Sequence, residues 1–176
     1  MKTIIKLFIL IIIFIGSILV FFPKENLYYY GVEKLHKEQI DIETTDIKDN
    51  YDGLYLQNTR VLYGGIKALN IQSIDIKTYI YQSSIILKDI TINDNFKQFL
   101  PSKINYLIFK HTILKPNIID ININSNQIKA YGYIDINKMK LYLYLKPSKY
   151  FLKSYKQLLI FMKKEKNGEY KVEYKL

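Results

Sequence analysis

The chain contains no cysteine, which excludes a disulfide framework, thiolate chemistry and a cysteine-ligated zinc site. Histidine is almost as scarce, with only His36 and His111 among 176 residues. His36 stands among Lys34, Lys37 and Glu38 and reads as a solvated side chain, and His111 falls at the end of an expected strand beside Lys110. Proton transfer and metal binding both need groups that converge. Glycine loops of the phosphate-binding kind and a Gly-x-Ser-x-Gly elbow are missing, and Ser83-Ser84 has no histidine nearby in the chain. No catalytic, cofactor-binding or metal-ligating residue is therefore assigned, and neither an enzyme nor a cofactor is expected.

Carboxylates cluster at Asp41, Glu43, Asp46, Asp49 and Asp52. In a strand, Asp41 and Glu43 share the face opposite Ile40 and Ile42, as on a solvated surface. Asp46, Asn50 and Asp52 lack the glycine and closing glutamate that a calcium loop requires, so no metal is expected. Arginine is limited to Arg60, although the net charge is +10. Eleven lysines against three glutamates over residues 138–176 place the basicity toward the C-terminus. With one arginine and no recognition motif, that charge reads as a solvated lysine surface, and no nucleic-acid partner is expected.

The longest apolar run is at the start. Leu7 to Phe22 contains no charge, and fourteen of its sixteen residues are Leu, Ile, Val or Phe. Such a run favours insertion into a bilayer by about 4–8 kcal/mol. Counted from Ile4 it makes about 28 Å of helix, comparable with a hydrocarbon core of about 30 Å. No small-residue pair precedes Pro23, so an uncleaved anchor is expected over a cleaved signal peptide. Leu7, Phe14 and Phe22 mark that anchor, and its partners would be membrane lipids. Lys2 and Lys6 precede it and keep the N-terminus cytoplasmic, placing the rest in the periplasm of an inner-membrane, single-pass protein. Tyr28, Tyr29 and Tyr30, among seventeen tyrosines, are expected at the lipid headgroups.

Three segments follow from this reading: an anchor over 1–22, a short amphipathic helix or linker over 23–39, and a β-rich domain over 40–176. Pro23 opens the helix, and Leu27, Tyr28, Val32 and Leu35 recur at helical spacing through about Gln39. From Ile40 the period changes to two. Expected strands are Ile40–Lys48, Leu54–Tyr63, Ile66–Thr78, Ile86–Asn93, Ile104–Ile113, Ile118–Asn124, Gln127–Asn137, Met139–Lys146 and Tyr170–Leu176. Short connections favour an antiparallel meander. Within Ile66–Thr78 the apolar phase moves from Leu69 and Ile71 to Ile74 and Ile76, so Gln72 and Ser73 should mark a bulge or bend.

A helix is expected from Ser148 to about Lys164, with Phe151, Leu152, Tyr155, Leu159 and Met162 on one side. Its Lys149, Lys153 and Lys156, together with Tyr142 and Tyr144 on the strand before it, form a candidate contact surface. The fold class expected is mainly β with minor α: a transmembrane helix, then a curved antiparallel meander with one amphipathic helix packed on it near the C-terminus.

The anchor, Pro23, the amphipathic stretch to Leu35 and Gly53-Leu54-Tyr55-Leu56-Gln57-Asn58 with Val61 resemble the start of type II secretion system protein N (GspN) and the wider AsmA-like group. Tyr131-Gly132-Tyr133-Ile134-Asp135, Leu158-Leu159 and Asn167-Gly168-Glu169-Tyr170 are similar to its end. The chain is shorter than typical members. The resemblance implies a non-catalytic cell-envelope protein, either a scaffold or accessory subunit with secretion or envelope proteins as partners, or a lipid-binding protein with an apolar groove. A scaffold predicts covered apolar faces, whereas a lipid binder predicts a curved sheet with an uncovered trough.

Overall fold

The structure is a computed structural model that describes residues 6, 10, 23–97, 101–155, 159–160 and 162–176. Helix α1 is Lys24–Lys37. Pro23 precedes it, Glu25 lies in its first turn, and Lys34, His36 and Lys37 lie in its last. This charge order complements the helix dipole. Gln39, at φ 62°, turns the chain out of the helix and into the sheet.

The strands are β1 (Ile40–Asn50), β2 (Gly53–Tyr63), β3 (Ile66–Thr78), β4 (Gln82–Ile92), β5 (Lys103–Thr112), β6 (Lys115–Asn124), β7 (Ile128–Asp135), β8 (Lys140–Pro147), β9 (Lys163–Lys164) and β10 (Tyr170–Lys175). A short 3-10 turn, Asp94–Phe96, follows β4, and helix α2, Lys149–Ser154, follows β8. All ten strands form one sheet in the order β1-β2-β3-β4-β5-β6-β7-β8-β10-β9, and every paired neighbour is antiparallel. Hairpin turns of Tyr51-Asp52, Gly64-Gly65 and Ile113-Leu114 make this order accessible without long crossovers.

Period-two alternation becomes a continuous apolar row once the register is set. Ile47, Leu56, Ile74, Leu87, Leu107, Ile123, Ala130, Leu145 and Tyr170 stand side by side across nine strands. The row is interrupted on one flank. The ladders skip Thr45, Asn58, Gln72, Asp89 and Asn105, which are themselves aligned. Asn58 and Asp89 have φ of 50° and 51°. Beyond this line the inward phase changes, so that Ile71 and Ile74, three residues apart, are both buried. The phase change expected at Gln72 and Ser73 is thus part of a bend that runs over five strands.

Two clusters form the core on this face. One contains Leu56, Ile71, Ile74, Ile90 and Ile92, with Tyr28 of α1 packed on it. The other contains Ile128, Ala130, Leu145, Phe151 and Tyr155, so α2 covers the opposite end of the sheet. Burying a side chain such as Leu56, 1% exposed, contributes roughly 1.5–3 kcal/mol. Each helix therefore secures one end of a single layer.

The architecture corrects the expected fold class. Among the described residues no helix is long and apolar enough to cross a membrane. Leu7, Phe14 and Phe22, like Lys2, lie outside the described residues, while Lys6 is described as exposed. The transmembrane helix and the inner-membrane, single-pass topology built on it are accordingly withdrawn. The C-terminal helix is also shorter than its periodicity implied. Ser148 caps it, its Oγ accepting from the Phe151 N–H at 3.2 Å, but α2 ends at Ser154 and Lys163–Lys164 pair with β10 as a strand. Ladder hydrogen bonds to Tyr170 and Lys171 outweighed the helical spacing there. A helix lies near the N-terminus as well, so the sheet carries helices at both ends.

Candidate functional site

Between the two covered ends, the apolar face of the sheet is open among the described residues. Ile76, Ile85 and Phe109 lie side by side on β3, β4 and β5. Ile119 and Ile134 are cross-strand partners on β6 and β7. Together they line a hollow of about 400 Å³, with Thr78, Ser83, Ser84 and His111 at its rim. That volume lies within the range of small-molecule sites. A second hollow of about 220 Å³ shares Ile76 and runs beneath Leu27 and Tyr28 of α1. The two form a trough whose floor is branched aliphatic side chains and the Phe109 ring. Ile85 remains 40% exposed there.

The rim brings together residues that sequence distance separated. Ser83 lies directly opposite His111 in the β4–β5 ladder. The His111 ring donates from Nε2 to the Pro116 carbonyl at 3.0 Å, which turns that nitrogen toward the β5–β6 turn. Ser83 therefore does have a histidine beside it, contrary to the reading from the chain alone, because β4 and β5 pair antiparallel. Nothing in the described hydrogen bonding joins the two side chains.

The acidic residues do not converge. Asp41 pairs with His36, Asp46 with Lys48 at 3.5 Å and Asp49 with Lys24 at 3.1 Å. Glu43 is 3.8 Å from Arg60, and Asp52 accepts from the Tyr79 hydroxyl at 3.1 Å. Among the described residues no group of three or more His, Cys, Asp or Glu side chains is arranged to hold a metal.

The opposite face carries the tyrosines of β7 and β8. Tyr131 stacks on Tyr144 with ring centres 5.4 Å apart, and Tyr133 on Tyr142 at 4.9 Å. Lys171 lies over Tyr142 and Tyr144, at 5.5 and 6.0 Å from their centres. Glu169 is buried beside them, accepting from the Tyr131 hydroxyl at 2.8 Å and the Asn167 amide at 3.0 Å while Lys146 approaches at 3.0 Å. Lys146 and these hydrogen bonds hold its carboxyl below the ordinary glutamate range.

This arrangement divides the expected contact surface. Tyr142 and Tyr144 sit on the tyrosine face, whereas Lys149 and Lys153 belong to α2, whose Phe151 packs on the other face. Lys156 lies outside the described residues. Tyr28, expected at lipid headgroups, packs on the sheet and bonds through its hydroxyl to Thr44 Oγ1 at 2.8 Å. Tyr29 and Tyr30 are exposed.

The trough residues were legible as an apolar phase, but their lack of cover was not. Their neighbours along each strand resemble those of the buried core. Compared with protein-family models, curated proteins and solved structures, the chain matches none.

Proposed function

We propose that the domain is a non-catalytic lipid-binding module that holds an acyl chain in the trough between α1 and α2. The apolar floor formed by Ile76, Ile85, Phe109, Ile119 and Ile134, which no described residue covers, carries this reading. An acyl chain would remove that surface from water without needing a directional partner, at roughly 25 cal/mol per Å2 of apolar area. The AsmA-like resemblance points to the same ligand class. A secretion or envelope scaffold fits less well, since it called for covered apolar faces and Ile85 is 40% exposed.

Titration of a fluorescent fatty-acid analogue into the purified full chain tests the proposal. Saturable binding should be displaced by unlabelled fatty acid and weakened at least about tenfold by Ile85→Lys. This substitution puts an ammonium group in the trough floor at an exposed position, leaving the two core clusters untouched. Absence of saturable binding, or equal affinity in Ile85→Lys, would sink the reading.

A further inference from the structure

The two end strands of the sheet carry opposite charge. On β1, Asp41, Glu43, Asp46 and Asp49 outweigh Lys48, a net of −3. On β9 and β10, Lys163, Lys164, Lys171 and Lys175 outweigh Glu173, a net of +3. Strand β1 ends the sheet on one side. On the other, β9 pairs only with Tyr170 and Lys171, so no described strand covers Val172–Lys175. Unpaired backbone groups at such edges are templates for another strand.

We propose that these edges join copies of this chain head to tail, β1 of one copy extending the sheet beyond β10 of the next. Like charges oppose the alternatives: β1 against β1 sets carboxylates together, and β10 against β10 sets lysines together. Only the heterologous pairing matches charge, and it leaves one edge of each sign free on every dimer. Helix α1 supplies Lys24 to Asp49 at 3.1 Å and His36 to Asp41, but its Lys24, Lys34 and Lys37 are matched in number by Glu25, Glu33 and the adjoining Glu38, so the net negative charge of this end of the sheet remains. The four-residue β10 edge is short, so contact depends strongly on this electrostatic match.

Because the chain has no cysteine, cross-linking can be read without background. Thr45→Cys places a thiol on the β1 edge strand, and Tyr174→Cys places one on β10; both sites are exposed and neither change alters charge. A short bis-maleimide added to a mixture of the two full-length variants should give covalent dimer at least about fivefold above either variant alone. Adding Lys164→Glu and Lys175→Glu to the Tyr174→Cys chain should return the yield to the single-variant level. So should salt near 1 M, where the screening length is about 3 Å, and this arm leaves the fold's sequence unchanged. Equal yield from either single variant, no dimer in the mixture, or a salt-independent yield would overturn the proposal.

Discussion

The Tyr131 hydroxyl donates a 2.8 Å hydrogen bond to Glu169, thirty-eight residues later in the chain. It ties β7 to the turn before β10, across β8. Lys146 and Asn167 hold the same carboxylate, so Glu169 is lowered in pKa, and Lys146 is raised chiefly through its bond to Glu169.

A pH dependence follows from these directions. With a folded value below the unfolded one, Glu169 stabilises the fold above the unfolded glutamate pKa of about 4.3 and loses that contribution as pH falls through its folded value. Asp135, lowered chiefly by the Lys138 backbone N–H, acts in the same sense. Lys146, raised, contributes below its unfolded value and loses this as pH rises through the folded one. Thermal melts should show Tm falling on the acid side, with a shallower acid slope in Glu169→Gln. An unchanged slope in that variant would refute the assignment.

The two core clusters should respond separately. Leu56→Ala and Phe151→Ala each empty a nearly fully buried site, costing about 2–5 and 3–5 kcal/mol respectively. They lie at opposite ends of the sheet, so the double variant should show nearly additive losses. Urea melts of the single and double variants provide the comparison, and strong non-additivity would mean that the ends communicate.

Gly132 has no room for a side chain. A Cβ there would lie 2.0 Å from the Tyr142 carbonyl oxygen, so β7 and β8 would have to separate. Gly132→Val should therefore destabilise by about 1–3 kcal/mol as an overpacking strain, despite valine's strand propensity. Equilibrium unfolding measures this, and a neutral result would disprove the close approach.

The bend makes a prediction of opposite kind. Asn58 has φ of 50° and is exposed, a geometry open to Asn and Gly but strained for β-branched residues. Asn58→Val should cost about 1–3 kcal/mol, whereas Asn58→Gly should be close to neutral. Equal stabilities of the two variants in denaturant would argue against the left-handed backbone.

Much of the sheet was readable because alternation is local. Ile119, Ile121 and Ile123, or Leu141, Leu143 and Leu145, announce strands with one apolar face whatever surrounds them, and the shift after Ile71 announces the bend. The C-terminal helix was overstated for the same reason. Phe151, Leu152, Tyr155, Leu159 and Met162 have helical spacing, but Lys163 and Lys164 pair with β10. Tyr28 packs on the Leu56 cluster and bonds to Thr44, contacts with residues distant in sequence that its position beside an apolar run does not announce.

The sequence by itself determined that this chain builds antiparallel strands without cysteine chemistry, because composition and period are properties of neighbouring residues. Only the tertiary structure decided which apolar faces are covered. Ile85 and Ile90 read alike along β4, yet Ile90 is 3% exposed and Ile85 is 40% exposed. The difference arises from where α1, α2 and the bend fall on the sheet, and burial is set by such long-range contacts.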